Sequence, residues 1–280
     1  LQGWEVNIED ALEIVSQSNP GMVRSHNEDS VSFDTSSGLV VLADGMGGYN
    51  AGEVASGIAV SVVATEIKHH LESVRPEDKD AFSGEDTAVV LLRDNVQKAN
   101  ASIFHAAQSQ PQYSGMGTTI VAALFYDDHV AVAHVGDSRM YRLRGEAFES
   151  ITRDHSLLQE QIDSGMISKE DARTSKNKNL VTRAVGIDAE VEAEVHVHDV
   201  RVGDIYLLCS DGLNDMVADE EIGATLQILK ANLPLAANEL IQLANDNGGR
   251  DNVSVILVKV NGKFSAPHGW LPKLLSWFKN

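Results

Sequence analysis

Three aspartates in this 280-residue chain stand where an apolar run meets glycine or asparagine. "VLADGMGG" carries Asp44, "YLLCSDGLND" carries Asp211 and "GGRDNVSVILV" carries Asp251, and an acidic pair, Glu28-Asp29, closes the polar loop "SNPGMVRSHNED". A single acid at a strand end is ordinarily a solvated loop start or a helix cap. Repeated in one fold, whose strand ends can share an edge, the arrangement gathers carboxylates that repel and raise one another's pKa unless a cation sits among them. An all-oxygen set selects hard ions such as Mg²⁺ or Mn²⁺ over zinc. Glycine after the acid permits a sharp bend and brings a backbone carbonyl close. Two such ions about 3.5–4 Å apart can hold a hydroxide and clamp a phosphoryl group for in-line attack. Arg24, four residues before Glu28 in the same loop, has the planar fork that matches phosphate oxygens.

Other chemistries fail on their residues. Cys209 precedes "SDGLND", but no arginine follows to complete a cysteine-based phosphate loop, and its apolar neighbours mark it as core. The stretch "DGMGG" is neither a Walker phosphate loop nor a dinucleotide fingerprint, and Ser210 lacks a nucleophile elbow. His196 and His198 share a strand face without a third ligand and read as surface residues. His134 has the opposite phase to Asp137 and reads as packed or exposed. His69-His70 suits the C-terminus of a helix.

The elements that must position the acids follow from periodicity. Short strands are expected at 11–17, 30–35 and 38–44. A helix runs from 51 to about 71, with Val54, Ile58, Val62, Leu71, Ala55, Ala59 and Ile67 on its buried stripe. After the charged connection 76–86, a second helix covers 86–107 and buries Val89, Val96 and Ile103. Closely spaced strands at 117–126, 129–137, 138–145 and 147–152 form an antiparallel meander. Residues 153–185 are polar, with helical patches and no large core face. Strands return at 190–197 and 204–210, then helices near 219–229 and 234–247, then a strand at 252–260. Antiparallel blocks with amphipathic helices in pairs predict an α+β layered fold, sheet packed on sheet. A single domain is expected; a division near 110 has no linker to support it.

Composition bounds the partners. Apolar residues make up 43% and charged residues 22%, with 22 Lys+Arg against 41 Asp+Glu and a net charge of −19. That balance excludes a nucleic-acid backbone binder and suits divalent cations. One cysteine excludes a disulfide framework and a cysteine cluster for zinc, and fits a reducing compartment. No apolar run reaches the ~18 residues of a membrane span. The opening "LQGWEVNIED" is acidic, unlike a signal peptide, and carries no initiating methionine, which leaves an upstream address open.

Taken in order, "GMVRSHNEDS", "LVVLADGMGG", "GMGTTIVAAL", "VAHVGDSRMYRLR", "ITRDHSLLQE", "NLVTRAVG", "YLLCSDGLND" and "GGRDNVSVILV" resemble the metal-dependent protein phosphatase family of type 2C in its compact bacterial form. The resemblance spans roughly residues 12–260. It implies a four-layer α-β-β-α sandwich of two antiparallel sheets with helices outside. It also implies hydrolysis of phosphoserine and phosphothreonine in proteins, as part of signalling. By motif, Asp44, Asp211, Asp251 and the Gly45 carbonyl ligate two core Mn²⁺ or Mg²⁺ ions. Glu28 acts through water, Asp29 orients the water network and Arg24 holds the phosphate. Asp137 with Asp211 and Asp215 resembles the weaker third metal site of bacterial members, and 153–185 the mobile flap. Relatives reading DGHGG place a histidine, assigned as general acid, where this chain has Met46, which cannot donate a proton.

The catalytic domain is thus expected over 1–262, with the flap at about 153–185. In the tail "PHGWLPKLLSWFKN" (residues 263–280 include it), Leu271, Leu274, Leu275 and Phe278 share a helical face, suited to docking on the domain itself or to contacting a partner or membrane surface. Expected partners are phosphorylated proteins, with a cognate Ser/Thr kinase and its substrates suggested by family habit. A cytoplasmic monomer is expected. The competing reading is a catalytically weak or inactive relative serving as a phosphoprotein-binding module, but such proteins usually lose metal carboxylates, and here all are present.

Overall fold

The computed structural model describes residues 7–48, 50–168, 171 and 180–265. A single-turn helix α1 (Ile8–Ala11) leads into β1 (Leu12–Asn19), followed by β2 (Asp29–Asp34), β3 (Leu39–Met46), α2 (Ala51–Leu71) and α3 (Thr87–Ser109). The meander comprises β4 (Gly117–Thr118), β5 (Ile120–Tyr126), β6 (His129–Val135), β7 (Arg139–Arg144) and β8 (Ala147–Ser150). Then come α4 (Leu157–Asp163), β9 (Glu194–Asp199), β10 (Ile205–Cys209), α5 (Asp211–Asn214), α6 (Asp219–Leu229), α7 (Leu233–Asp246) and β11 (Val253–Val260).

The strands build two antiparallel sheets, one ordered β1-β11-β10-β7-β8 and the other β2-β3-β5-β6-β9, with β4 pairing β3. Both faces of the central strands are covered, which is why they read as unbroken apolar runs. On β5, Ile120, Ala122 and Leu124 face α2 and α3, while Val121, Ala123 and Phe125 face the other sheet. On β10, Leu207 and Cys209 pack toward α6 and α7, while Tyr206 and Leu208 fill the space between sheets. Three apolar layers between four structural layers confirm the expected α-β-β-α sandwich.

The differences in detail have local causes. On α2 the fully buried stripe is Ala51, Ala55, Ala59, Val63 and Ile67, small residues that let the helix lie close to the sheet; Val54, Ile58, Val62 and Leu71 flank it half-buried. The strand expected over 117–126 breaks at Thr119, whose backbone and hydroxyl both bond Asp44. The strand expected from 190 begins at Glu194, opposite His134, because β6 ends at Val135 and offers no partner beyond it. The tail helix expected within 263–280, and much of 169–179, lie outside the described residues.

Candidate metal and phosphate site

The antiparallel register of β2 and β3 sets Asp29 directly opposite Asp44, so acids from two separate motifs become one cross-strand pair. The backbone at Asp44 is fixed without using its carboxylate. Its N–H donates to Thr119 Oγ1 at 3.0 Å, and its carbonyl accepts from Thr118 Oγ1 and the Thr119 N–H, both at 2.8 Å. One residue on, the Gly45 N–H donates to the Glu28 carbonyl at 3.1 Å. A Cβ at Gly45 would strike the Gly52 carbonyl and lie 2.7 Å from the Glu28 carbonyl oxygen, and one at Gly52 would lie 2.8 Å from Glu28 Oε1. Glycine at both positions lets the start of α2 close on Glu28, whose carboxylate accepts from the Gly52 N–H.

From the opposite sheet, Asp211 opens α5 with only Ser210 between it and β10, and Asp251 is separated from β11 by Asn252. Ser210 joins the sheets, its Oγ donating to Asp29 Oδ2 at 2.8 Å while accepting from the Ser254 N–H at 3.0 Å. Arg24 Nη2 donates to Asp251 Oδ2 at 2.7 Å, with the arginine side chain 53% exposed. Asn252 then anchors the whole loop: its Nδ2 donates to the Pro20 and His26 carbonyls at 3.0 and 2.9 Å, and its Oδ1 accepts from the Glu28 N–H at 2.8 Å. Sequence reasoning passed over Asn252, Thr118 and Thr119, and considered Ser210 only as a nucleophile, which it is not. Their one signal was position, since each is an amide or hydroxyl next to, or one strand away from, a candidate acid.

Asp137 is buried in the turn between β6 and β7. Arg139, two residues later, is held by Asp154 through two bonds, Nε to Oδ1 at 2.8 Å and Nη2 to Oδ2 at 2.7 Å. A cavity of about 640 Å³ opens beside Asp137, Asp211 and Asp215, with Leu158 and Ile162 of α4 on one wall and Met216 on another.

The acids feel one another. Burial, then Asp29, Asp211, Asp137 and Asp251, drive the Asp44 carboxyl well above the usual range. Burial, then Asp137, Asp215, Asp251 and Asp29, do the same to Asp211. Asp29 is pushed up to about 6, chiefly by burial, with the Ser254 and Ser210 hydroxyls opposing. Asp137 is likewise raised to about 6 by burial and by Asp154, against the pull of Arg139. Glu28 is raised by burial, with Arg24 opposing. Asp29 Oδ1 is also buried without a hydrogen-bond partner. Concentrated negative charge, an unpartnered carboxylate oxygen and an all-oxygen donor set fit a hard divalent cation.

The remaining candidates fall elsewhere. Cys209 is wholly buried, and burial pushes its thiol up, away from nucleophilic use. His196 is exposed and bonds Glu194 at 2.6 Å. Among the described residues, one group of three His, Cys, Asp or Glu side chains brings ligand atoms within 4.8 Å of one another: His134, His155 and Glu194. None of the candidate acids belongs to it, and His134 in it is fully buried. No helix among the described residues is long and apolar enough to cross a membrane.

With this geometry in place, the comparisons agree. The model of the family described as protein phosphatase 2C matches residues 23–245. The serine/threonine phosphatase stp of Listeria welshimeri is 38% identical over 244 residues, covering 86% of this chain and 93% of that protein. The crystal structure of the Mycobacterium tuberculosis serine/threonine phosphatase PstP/Ppp superposes with a TM-score of 0.81 at 37% identity, over 90% of this chain and 100% of that one. The PstP catalytic domain solved with two manganese ions gives 0.77 at 37% identity, over 90% and 99%. Strand-end acids, sandwich and relatives therefore lead to one statement: this chain belongs to the protein phosphatase 2C family.

Proposed function

We propose that the metal-dependent hydrolysis of phosphoserine and phosphothreonine carried out by this chain runs through the carboxylate corner between the two sheets. Two core Mn²⁺ or Mg²⁺ ions would be held by Asp44, Asp211, Asp251 and the Gly45 carbonyl, with a weaker third at Asp137, Asp211 and Asp215. The observation that carries the reading is the convergence of Asp44 and Asp211 from opposite sheets into one electrostatic cluster that also includes Asp29, Asp137 and Asp251. When bound, such ions lower the pKa of water and neutralise phosphoryl charge.

The chain's own groups do the rest. Asp29, held by Ser210, orients the water network, and Glu28, braced at the start of α2, takes part in it through water. Arg24 exchanges its exposed ion pair with Asp251 for the oxygens of an incoming phosphate, a charge-assisted contact that positions phosphorus for in-line attack. A P–O bond to water forms, the bond to the serine or threonine oxygen breaks, and that oxygen takes its proton from water, since Met46 at the end of β3 cannot supply one.

The catalytic unit is read as 1–262 with 153–185 as its flap. It acts as a cytoplasmic monomer on phosphorylated proteins, among them a cognate Ser/Thr kinase and its substrates. The test is hydrolysis of a phosphothreonine peptide before and after chelation. Activity should vanish with chelator and return with Mn²⁺ or Mg²⁺, and Cys209→Ala should leave that dependence unchanged. Full activity in chelator would end the mechanism.

A further inference from the structure

The catalytic reading leaves His134, His155 and Glu194 unused, although they are buried or half-buried titratable groups close to Asp137. Their geometry opposes a shared metal ion. The His134 and His155 rings stack at 4.7 Å with planes only 13° apart, so one ion cannot lie in the plane of both. Three of their four ring nitrogens also have neighbours of their own. His134 Nε2 donates to the Arg153 carbonyl at 2.8 Å. His155 Nδ1 accepts from the Gly136 N–H at 3.2 Å, which puts the ring proton on Nε2, facing Glu194 Oε2 at 3.3 Å. The Arg183 guanidinium stands 3.4 Å from that same nitrogen. Burial holds both rings below the usual histidine range, as neutral donors and acceptors.

What the cluster does hold is a turn. The His155 N–H donates to the Gly136 carbonyl at 2.9 Å while its ring accepts from the Gly136 N–H, a reciprocal clamp on the residue just before Asp137. Gly136 has φ +103°, a conformation only glycine adopts freely, so the turn needs outside bonds to define it. The neighbours of His155 reinforce the grip: Asp154 holds Arg139, and Thr152 Oγ1 accepts from the Met140 N–H at 2.9 Å. His155 also carries the return of the flap, its carbonyl accepting from the Thr182 N–H at 2.8 Å.

We propose that His155 is a positioning residue for Asp137, fixing the Gly136–Asp137 turn from the base of the flap and so setting the affinity of the weaker metal site. This rests on the reading of Asp137 as a ligand of that site. Flap and site are then coupled mechanically, because the bond that seats Thr182 and those that seat Gly136, the residue before Asp137, meet at His155.

The test is Mn²⁺ calorimetry on the full chain, with kcat and KM on a phosphothreonine peptide, for His155→Phe, His155→Asn, Asp137→Asn and the Phe/Asn double variant. His155→Phe keeps the stacked ring but no acceptor. It should weaken the weaker Mn²⁺ event by about 10-fold or more, as loss of a group supporting a ligand does, and lower kcat with KM little changed. His155→Asn, whose amide oxygen can still accept from the Gly136 N–H, should restore the wild-type titration. In the double variant the phenylalanine should add nothing to the loss from Asp137→Asn. If His155→Phe does not fold, His155→Gln, which displaces the acceptor, takes its place with the same expected loss. A wild-type titration for His155→Phe, equal damage from His155→Asn, or an undiminished effect in the Asp137→Asn background would overturn the assignment. An Asp137→Asn variant that binds Mn²⁺ like wild type would instead sink the ligand reading beneath it.

Discussion

Arg24 and Asp251, 227 positions apart in sequence, meet as an ion pair of 2.7 Å at the mouth of the carboxylate corner. A cation already resting on a site acid is poised to be drawn off by a phosphate dianion, and its exposure keeps that exchange cheap. Arg24→Ala should therefore raise KM and lower kcat, with kcat/KM down roughly 10- to 100-fold, the worth of a charge-assisted hydrogen bond of about 1.5–3 kcal/mol. Metal affinity should stay nearly intact. Steady-state kinetics beside a Mn²⁺ titration checks both, and unchanged KM and kcat would remove Arg24 from the site.

Asp211 and Asp137 should separate the core ions from the weaker one. Asp211→Asn is expected to lose binding of a core ion and nearly all turnover. Asp137→Ala should leave the core pair occupied and still slow turnover on phosphoprotein. If Asp137 only braces its turn, the variant will lose thermal stability while keeping wild-type stoichiometry and rate. An active Asp211→Asn would contradict the whole assignment.

Two glycines near one helix should respond in opposite directions. A methyl at Gly45 runs into the Gly52 carbonyl, so Gly45→Ala should lower the unfolding free energy by about 1–3 kcal/mol through overpacking, and disturb metal binding. Gly57 is exposed on α2 with open space around it, so Gly57→Ala should add about 0.5–1 kcal/mol by favouring the helix. Denaturant midpoints of the two variants give the comparison, and a stabilised Gly45→Ala would refute the close packing inferred there.

His134 gives stability a pH dependence of known sign. Burial lowers its folded pKa below the ordinary histidine value, so the unfolded chain takes up the proton first as pH falls. Its contribution is present in full above the unfolded value and is lost as pH drops through the window beneath it. The groups around it are His155, Glu194, Asp154 and the Arg153 carbonyl. His134→Gln, whose amide nitrogen reaches the position of the imidazole Nε2, keeps a donor for that carbonyl but cannot charge. Between pH 7.5 and 5.5 the wild type should lose more unfolding free energy than the variant, the slopes differing by up to about 1.4 kcal/mol per pH unit. Parallel slopes would show that His134 is not held neutral.

The acids that build the site were legible because each sits at the end of a strand buried on both faces, where an apolar run stops abruptly at Asp44, Ser210-Asp211 or Asp251. Their pairing was not. That Asp29 faces Asp44 is a property of two strands in register, and that Ser210 reaches Asp29 is a property of two sheets in contact. His134 showed only its phase. Its stacking on His155 depends on the chain returning after β8 across the end of β6, which periodicity does not encode. The bonds of Thr119 to Asp44 broke an otherwise continuous apolar strand, a local polar demand that overrode propensity.

The division of the acids between sheets has a mechanical consequence. Asp29 and Asp44 belong to the sheet of β2 and β3, Asp211 and Asp251 flank β10 and β11 of the other, and the layers meet through apolar contact and a few polar bonds such as Ser210 to Asp29. On the proposed assignment, a cation shared across that seam would act as a rivet between two plates, one that forms only when both plates are folded and aligned. Ligand that binds only the folded chain stabilises it by RT ln(1 + [L]/Kd), and here that gain resists shear between layers. Resistance to proteolysis should accordingly rise with Mn²⁺ concentration even in a variant that cannot turn over substrate, making the chain's persistence a gauge of its divalent cation supply.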